Sequence, residues 1–198
     1  MWGKLEGFNP GGSVKDRIGL NMIRAAEKQK KLQKGYKIVE ASSGNTAMGL
    51  SLVGCLNGYK TIICIPDKMS SEKINRLKAI GSDVLVCPTD APEGNPDNYH
   101  TKAHHIGDDP KIYYPDQYSN PHNPEAHFLT TGPELAEQMD NKIDYVFIGG
   151  GTCGTIVGIS KYLKKCIPGV KVVGIDTVNS SLSGQEMKGE MYKIEGIG

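Results

Sequence analysis

One lysine in this sequence stands where an amine can become reactive, in the stretch GFNPGGSVKDRIGL. Lys15 follows Gly11 and Gly12, which permit a flat ligand to approach the backbone closely, and it begins a run with helical spacing of apolar residues. Val14 and Ile18 would exclude water from the amine, and the positive end of a helix would also disfavour the charged form. Both effects lower the pKa of a lysine, so the context is that of a lysine that forms a Schiff base. At an arbitrary helix start, by contrast, a lysine is usually a solvated surface charge.

Two glycine-rich turns, ASSGNT and GGGTCGT, each follow an apolar segment of strand type. In open α/β sheets, ligands bind at the carboxyl ends of the strands, where such turns lie. Both turns lead into helical patterns, so their backbone N–H groups and the positive helix ends suit anions. The sequence therefore predicts that one turn holds a phosphate and the other a carboxylate.

Each turn also has a simpler interpretation. GGGTCGT matches the dinucleotide fingerprint G-x-G-x-x-G only loosely, and Asp176 is not a convincing ribose-binding acid, so a nicotinamide cofactor is disfavoured. In SSGNT, Ser43 or Asn45 could simply cap the helix that starts at Thr46. The five histidines lie in polar segments with no carboxylate or cysteine to complete a ligand set, which predicts that there is no metal site.

The composition is typical of a globular protein, since 38% of the 198 residues are hydrophobic and 23% are charged. The formal net charge of +1 favours neither nucleic acid nor a membrane as a partner. No apolar stretch approaches the about 20 residues of a membrane span, and the residues after Met1 do not form a signal peptide. The five cysteines form no C-x-x-C pair, and Cys55 and Cys64 lie in apolar segments predicted to be core. We therefore expect a reducing compartment, the cytoplasm.

Short β-rich runs alternate with helical patterns along the chain, which predicts an α/β fold with a parallel sheet. The runs are YKIVE (36–40), TIICIP (61–66), DVLVC (83–87), KIYYP (111–115), DYVFIG (144–149) and VKVVGID (170–176). Between them, residues 45–58 and 70–81 have helical spacing and end near glycine, as a helix with a glycine cap does. Ser70 is expected to cap the second of these helices.

Two proline-rich segments mark the organisation of the chain. Residues 88–110 carry proline, glycine and charge in excess, which predicts a surface excursion with at most one helix. Residues 120–127, NPHNPEAH, precede the helical pattern TGPELAEQM, so a hinge is expected there. The sequence therefore predicts two domains, residues 1–120 and residues 121–198.

Six motifs occur in the order and spacing of the fold-type II pyridoxal-phosphate enzymes: FNPGGSVKDR, SSGNTAMGL, IPDKMSSEK, DQYSNPHNPEAHFLTTGPE, GGGTCGTIVGI and EGIG. From about Lys4 to Gly198 the sequence resembles the cystathionine β-synthase and cysteine synthase family. Within that family, KMSSEK and EGIG are more similar to the cystathionine β-synthases, whereas TTGPE is shared with the cysteine synthases.

The resemblance implies a tryptophan synthase β-like fold of two three-layer αβα domains, the second incomplete. Residues 1–120 would form the smaller domain, incomplete at its start, with the cofactor lysine and the substrate loop. Residues 121–198 would form the first part of the larger, phosphate-binding domain. Family members begin earlier and continue further, so we expect the sequence to be truncated at both ends and to have little activity by itself.

The resemblance also implies a pyridoxal 5'-phosphate site. Lys15 matches the lysine that forms the Schiff base and later moves the α-proton of the substrate, and Asn45 matches the asparagine that hydrogen-bonds the 3'-oxygen of the cofactor. The cofactor phosphate would be bound by Gly151, Thr152, Cys153, Gly154 and Thr155. The α-carboxylate of the substrate would be bound by Ser42, Ser43, Thr46 and Gln117. Glu195 would stand near the mouth of the site and take part in recognising the amino-acid substrate.

The reaction that the resemblance implies is a β-replacement, in which serine loses water and the thiol of homocysteine is added to give cystathionine, a step of transsulfuration and cysteine biosynthesis. The protein would be a cytoplasmic, homodimeric lyase with small amino acids as its substrates. Two alternatives stay open. One is a cysteine synthase that uses O-acetylserine and sulfide, and the other is a truncated, non-catalytic relative that acts through partners.

Two departures from the family pattern bear on the site. Cys153 stands where the family has glycine, and at a position with positive φ a non-glycine residue costs about 1 kcal/mol or more. We therefore expect weaker binding of the cofactor phosphate. Ala41 and Ser42 replace a Pro-Thr pair, and Ala47 replaces a glycine, which keeps a hydroxyl but adds a methyl group where a helix packs closely.

Overall fold

Strands and helices alternate along the chain. The structure, a computed structural model, describes residues 1–42, 44–178, 180, 182, 194 and 196–197. Its strands are β1 (Lys37–Ala41), β2 (Lys60–Pro66), β3 (Asp83–Cys87), β4 (Ile112–Tyr113), β5 (Tyr145–Gly149) and β6 (Lys171–Ile175). Its α-helices are α1 (Lys15–Lys28), α2 (Asn45–Leu56), α3 (Ser71–Ala79), α4 (Tyr99–Gly107), α5 (His122–Ala126), α6 (Gly132–Gln138) and α7 (Gly154–Cys166). A 3-10 helix (Glu6–Phe8) precedes α1, and a π-helical turn (His127–Thr131) joins α5 to α6.

The chain contains two compact units, Met1–Asn120 and Pro121–Gly198. In the first unit, four parallel strands form a sheet of order β3-β2-β1-β4. In the second unit, β5 and β6 form a parallel pair. The strands pair in parallel throughout the described residues, so the predicted α/β fold with parallel sheets is confirmed.

Helices cover both faces of the first sheet. One buried cluster lies on the side of α4 and consists of Val39, Ala41, Cys64, Cys87 and Ala103. The other lies on the side of α2 and α3 and consists of Ala47, Met48, Ile63, Ile65 and Leu77. Alternate residues of β1 and β2 contribute to these clusters because successive side chains of a strand point to opposite faces. The carboxyl ends of the strands are left for the turns that carry candidate site residues.

The ends of the helices follow the predicted signals. The hydroxyl of Ser70 accepts a hydrogen bond of 3.4 Å from the backbone N–H of Lys73, so Ser70 caps α3 as predicted. Gly58 and Gly81 have φ of +76° and +100° directly beyond the caps of α2 and α3, the left-handed region in which glycine has no steric penalty. Residues 88–110 contain one helix, α4, which agrees with the prediction.

The second unit is built around α7. Its apolar face packs against α6 and the β5-β6 pair in a buried cluster of Ala136, Ile159, Leu163 and Val170. A Cβ atom added at Gly158 would lie 2.2 Å from the carbonyl oxygen of Pro124, so α7 and α5 are in direct backbone contact. This contact fixes the first turns of α7 against the segment that precedes α6.

The division between the two units lies between Asn120 and Pro121, at the start of the proline-rich segment where a hinge was expected. Residues from His122 onward are helical, with Pro124 inside the first turn of α5, where it needs no N–H partner. The expectation for Cys55 is wrong. Cys55 is exposed rather than buried, because it lies on the outer face of α2, whereas Cys64 on β2 is buried as expected.

Candidate functional site

Lys15 is the first residue of α1, at the end of a tight turn. The turn is held by the carboxylate of Asp16, which accepts a 2.5 Å hydrogen bond from the backbone N–H of Gly11. A Cβ atom at Gly11 would overlap this carboxylate, and Gly12 has φ of +86°, so both glycines of the motif are required by geometry. The hydroxyl of Ser13 accepts a 3.2 Å hydrogen bond from the N–H of Lys15. The backbone around the predicted reactive amine is therefore fixed by local contacts.

The helices α1 and α2 cross at Gly19 and Gly49, and this crossing places Lys15 against α2. A Cβ atom at Gly19 would lie 2.7 Å from the carbonyl carbon of Gly49, and a Cβ atom at Gly49 would lie 2.7 Å from the carbonyl oxygen of Lys15. Because neither glycine has a side chain, the backbones of α1 and α2 touch. The start of α1 and the start of α2 consequently form one rigid corner of the first unit.

The first turn of α2 is capped by Ser42. Its hydroxyl accepts hydrogen bonds from the backbone N–H groups of Gly44, at 3.3 Å, and Ala47, at 3.2 Å. The alternative in which Asn45 caps this helix is wrong, because Asn45 is the first helical residue and the N-cap residue is Gly44. Ser43, the other candidate cap and a predicted carboxylate ligand, lies outside the described residues.

A second contact brings Gln117 to the same turn. The hydroxyl of Thr46 donates a 2.5 Å hydrogen bond to the side-chain carbonyl oxygen of Gln117, although the two residues are 71 positions apart. Both side chains are buried. The structure thus brings together three of the predicted carboxylate ligands, Ser42, Thr46 and Gln117, around the positive end of α2.

A pocket opens beside this corner. Gly11, Gly44 and Asn45 line one side of it, and Lys73 and Arg76 of α3 line the other. Lys73 belongs to the KMSSEK motif, so the motif contributes a cation close to the predicted cofactor-binding asparagine. Positive charge at this position favours an anionic ligand.

The second predicted anion site, residues 151–155, connects β5 to α7 in the second unit. Cys153 is the N-cap of α7 and has φ of +59° and ψ of 0°, in the left-handed region. The expectation that this position needs positive φ is therefore correct, and the cysteine is held in a conformation that glycine adopts more easily. The side chain of Cys153 does not cap this helix, and the hydroxyl of Thr152 accepts a long hydrogen bond, 3.5 Å, from the backbone N–H of Gly154. N–H groups in the first turn of a helix are suited to an anionic ligand.

The residues of this turn fit a phosphate. A Cβ atom at Gly151 would lie 2.9 Å from the carbonyl oxygen of Gly196, and a Cβ atom at Gly154 would overlap the side-chain amide of Asn123. Thr152 and Thr155 add hydroxyl donors to the turn. Small residues, hydroxyls and a helix start are the features with which proteins bind a phosphate dianion.

Two residues that sequence reasoning missed hold the threonines of this turn. Asn123 donates a 2.9 Å hydrogen bond from its side-chain nitrogen to the hydroxyl of Thr152. The buried ring of His127 lies 3.2 Å from the hydroxyl of Thr155 through Nε2 and 2.9 Å from the hydroxyl of Thr131 through Nδ1. The segment NPHNPEAH contained both residues, but its prolines favoured a hinge over a supporting helix.

Two buried carboxyl groups were also missed. Burial raises the pKa of Asp16, and burial together with the charge of Asp116 raises the pKa of Glu40 well above its ordinary value. One oxygen of each, Oδ1 of Asp16 and Oε2 of Glu40, accepts no hydrogen bond within the described residues. The sequence held a signal for each of these carboxyl groups. Asp16 directly follows Lys15, and Glu40 lies within an apolar strand.

The predicted site residues therefore lie in two groups. Lys15, Asn45, Ser42, Thr46 and Gln117 belong to the first unit, and Gly151, Thr152, Cys153, Gly154 and Thr155 belong to the second. Glu195, predicted to recognise the substrate, lies outside the described residues, as Ser43 does. In the part of the chain that the structure describes, no three metal-binding side chains are grouped, and no helix has the length and apolarity to cross a bilayer.

Comparisons with known sequences cover the whole chain. The model of the family described as pyridoxal-phosphate dependent enzyme matches residues 1–198. The cystathionine β-synthase of Dictyostelium discoideum is 44% identical over 199 residues, covering 98% of this chain and 40% of that protein. The cystathionine β-synthase of Saccharomyces cerevisiae is 40% identical over 209 residues, covering 100% of this chain and 41% of that protein. The chain thus spans about two fifths of the length of these curated relatives.

Two solved structures are similar to the chain. A hydrogen sulfide-producing enzyme from Fusobacterium nucleatum has a TM-score of 0.88 and 37% identity, covering 98% of this chain and 63% of that protein. An O-acetylserine dependent cystathionine β-synthase from Helicobacter pylori has a TM-score of 0.88 and 36% identity, covering 98% of this chain and 62% of that protein.

Proposed function

Because this chain belongs to the family of pyridoxal-phosphate dependent enzymes, we propose that the protein carries out a β-replacement on serine. The hydroxyl of serine leaves as water and the thiol of homocysteine takes its place, so the products are cystathionine and water. Support comes from relatives named cystathionine β-synthase, which are 40% to 44% identical over nearly the whole chain. The fold assigned from the sequence motifs, fold-type II, agrees with the two similar solved structures.

The single observation that carries the proposal is the hydrogen bond between Thr46 and Gln117 at the start of α2. It brings two buried polar side chains together at the positive end of α2, in the same unit as a lysine that begins a helix. Pyridoxal phosphate, when bound, supplies the electron sink that makes the α-proton of an amino acid acidic. The amine of Lys15 is the group proposed to accept and return that proton.

The other residues of the first unit orient the two reactants. Ser42, Thr46 and Gln117 would bind the α-carboxylate of the amino acid, with Ser43 as a fourth member. Asn45 would donate a hydrogen bond to the 3'-oxygen of the cofactor. We propose that this unit, residues 1–120, is the smaller domain of the enzyme, carrying the lysine and the substrate loop. Glu195 would take part in recognising the amino-acid substrate.

The turn at residues 151–155 would bind the cofactor phosphate in the second unit. Backbone N–H groups at the start of α7 and the hydroxyls of Thr152 and Thr155 would supply the donors, and Gly151 and Gly154 let the turn pack closely against Gly196 and Asn123. Cys153 would weaken this contact because its left-handed backbone is strained. We propose that residues 121–198 are part of the larger, phosphate-binding domain.

A trapping experiment tests the assignment of Lys15. The chain is incubated with pyridoxal phosphate, reduced with borohydride and digested, and the labelled peptide is identified by mass spectrometry. We expect the label on Lys15, and a Lys15→Arg variant should retain the charge but take up no label. A label on Lys73, the cation that lines the neighbouring pocket, would contradict the assignment.

The identity of the second substrate, homocysteine or sulfide, is tested by comparing kcat/KM for the two. With serine as first substrate, we expect homocysteine to be preferred over sulfide by about tenfold or more, because specificity is a ratio of these constants. The KMSSEK and EGIG segments motivate this choice. A preference for O-acetylserine with sulfide would favour a cysteine synthase. Labelling of Lys15 with no turnover in any combination would favour a non-catalytic relative.

We also propose that the protein is a cytoplasmic homodimer. The support is chemical: the five cysteines are free, which suits a reducing compartment, and the near-zero net charge does not oppose self-association. Light scattering of the purified protein at several concentrations gives the mass. A monomer at all concentrations would contradict the dimer.

A further inference from the structure

The side-chain amide of Asn123 is buried against the start of α7. Asn123 lies in α5, and only 1% of its surface is exposed. A Cβ atom added at Gly154, the first residue of α7, would overlap the Asn123 side chain, so the amide contacts the backbone at that point. Burying an amide is unfavourable unless its polar atoms have hydrogen-bond partners. The group that receives its hydrogen bond therefore indicates what Asn123 organises.

That group is the hydroxyl of Thr152, in the predicted phosphate turn. Its oxygen accepts a 2.9 Å hydrogen bond from the side-chain nitrogen of Asn123 and a longer one, 3.5 Å, from the backbone N–H of Gly154. A threonine hydroxyl has two lone pairs and one proton. Both lone pairs face donors, whereas the proton has no acceptor within the described residues. The hydroxyl of Thr152 is thus left as a hydrogen-bond donor.

The direction of this hydrogen bond matters for an anionic ligand. A phosphate dianion offers only acceptor oxygens, so a hydroxyl binds it through the proton. The amide nitrogen of Asn123 donates and does not accept, so it cannot take up the proton of Thr152. A hydroxyl that accepts a hydrogen bond is also polarised and donates more strongly. Asn123 therefore favours the orientation of Thr152 in which its proton is available to an anion.

We propose that Asn123 is a positioning residue for the cofactor phosphate: by donating to the hydroxyl oxygen of Thr152, it directs the proton of that hydroxyl toward the phosphate. The inference rests on the proposed function, which supplies a phosphate at residues 151–155. Asn123 acts through Thr152 and not on the ligand itself.

A residue that acts only on the phosphate contact distinguishes two related ligands. Pyridoxal phosphate carries the dianion, whereas pyridoxal has the same ring and aldehyde without it. Loss of the Thr152 donor should weaken the binding of the first compound and leave that of the second nearly unchanged. General damage to the fold would weaken both.

The test compares three variants of the chain. Asn123→Ala removes the donor, and Asn123→Asp keeps the shape but offers an acceptor, which would take the proton of Thr152. Asn98→Ala is the matched control, because Asn98 is also buried and its side chain caps α4 in the first unit, away from the phosphate turn. The Kd of each compound is measured from visible absorbance, and Tm is measured alongside.

We expect Asn123→Ala to raise the Kd of pyridoxal phosphate by about tenfold, the order for one hydrogen bond to a charged group, with the Kd of pyridoxal within about twofold of native. Asn123→Asp should lose more, because its charge also repels the dianion. Asn98→Ala should lower Tm and leave both Kd values unchanged. If Asn123→Ala did not fold, Asn123→Asp carries the test. Native affinity for pyridoxal phosphate in either Asn123 variant, or an equal loss for both compounds, overturns the proposal.

A double-mutant cycle tests whether the effect passes through Thr152. Thr152→Val removes the hydroxyl and should raise the Kd of pyridoxal phosphate by a similar factor. In that background, Asn123→Ala should add less than about twofold, because the two residues act through one contact. A full further loss would mean that Asn123 acts by another route, which overturns the proposal.

A last measurement needs no cofactor and involves only the second unit. Cys153, within the phosphate turn, is partly exposed, and the concentration of inorganic phosphate that halves its labelling by a thiol reagent is determined. We expect this concentration to rise about tenfold in Asn123→Ala and to stay at the native value in Asn98→Ala. Equal values in Asn123→Ala and the native chain would overturn the role of Asn123 alone. A native chain that binds neither phosphate nor pyridoxal phosphate would overturn the proposed function together with this inference.

Discussion

Cys153 places a side chain where the backbone at the start of α7 is left-handed, with φ of +59°. Such a conformation costs a non-glycine residue about 1 to 2 kcal/mol. We expect Cys153→Gly to raise the free energy of unfolding by up to about 1 kcal/mol, since the greater flexibility of unfolded glycine offsets part of the gain. The variant should also bind pyridoxal phosphate more tightly. Urea unfolding and an absorbance titration measure the two effects.

Cys153→Ser is the matched control. Serine keeps the Cβ atom and therefore the backbone strain, while the thiol, which lies 3.7 Å from the carbonyl oxygen of Gly151, is replaced by a hydroxyl. We expect no gain in stability from this variant. An equal gain in both variants would show that the sulfur atom, and not the backbone, is responsible.

Glu40 makes the stability of the chain depend on pH. Its pKa is raised above the ordinary value of 4.5 in the folded chain, mainly by burial, so between the two values the folded state keeps a proton that the unfolded state has released. The free energy of unfolding should therefore fall as pH rises above about 4.5 and level off once the folded pKa is passed. Glu40→Gln removes this dependence. We expect the Tm of Glu40→Gln to exceed that of the native chain by an amount that increases as the pH rises above about 4.5.

The surface variant Glu93→Gln provides the comparison for this measurement, because it makes the same chemical change on an exposed side chain. Its Tm should follow that of the native chain across the pH range. Should Glu40→Gln also follow the native chain, the carboxyl group of Glu40 would have to be charged in the folded state.

At the scale of elements, the crossing of α1 and α2 depends on Gly19 and Gly49. A Cβ atom at Gly49 would lie 2.7 Å from the carbonyl oxygen of Lys15. Gly49→Ala should destabilise the chain by about 1 to 3 kcal/mol through overpacking, although alanine favours a helix by about 1 kcal/mol. It should also displace Lys15, so we expect less borohydride trapping of the cofactor at that residue.

Gly7→Ala is the control for this prediction. Gly7 lies in the 3-10 helix before α1, and a Cβ atom added there meets no atom within 4 Å. It should leave the free energy of unfolding within about 0.5 kcal/mol of the native value, as a surface change does. Native stability and native trapping in Gly49→Ala would mean that α1 and α2 can separate without loss of the site.

The sequence predicted the elements well because their signals are local. Short β-rich runs coincide with all of the described strands, and the capping residue Ser70 and the terminal glycines Gly58 and Gly81 marked helix ends. The lysine at the start of α1 was predicted for the same reason. These features depend on the nearest few residues, so no knowledge of the tertiary structure was needed.

Other features depend on residues distant in sequence, and local patterns do not encode them. Only the family resemblance assigned Thr46 and Gln117 to one site, because their contact joins segments whose proximity follows from the strand order. The support of Thr152 by Asn123 arises where α5 meets the start of α7. Cys55 was misplaced because its helix is apolar on most sides, so that the pattern did not mark an outer face.

At the scale of the whole molecule, the cysteines differ in access. Cys55 and Cys166 are exposed, Cys153 is partly exposed, and Cys64 and Cys87 are buried. Burial raises the pKa of the Cys64 thiol to about 12, which further lowers its reactivity because the thiolate is the nucleophile. With a thiol reagent, we expect the two exposed cysteines to react quickly and Cys153 to react more slowly. The two buried cysteines should react only after unfolding. Mass spectrometry of labelled peptides identifies them in order.

Labelling of the partly exposed Cys153 also tests whether residues 151–155 bind phosphate, and this test needs no activity assay. Pyridoxal phosphate or inorganic phosphate should slow the labelling of Cys153 if residues 151–155 bind the phosphate group. The labelling of Cys166, at the other end of α7, should not change. Equal rates with and without phosphate would argue against the assigned turn.

The strand order β3-β2-β1-β4 sets a sequence of events during folding. After β1 the chain adds β2 and β3 on one side and only then returns to pair β4 on the other side. The partners Thr46 and Gln117 are 71 positions apart, and closing so long a loop is unfavourable until the strands it joins have paired. The rigid corner around Lys15 can form early, from α1 and α2 alone. We therefore expect the contact of Thr46 with Gln117 to form last in this unit during refolding and to be lost first when β4 detaches.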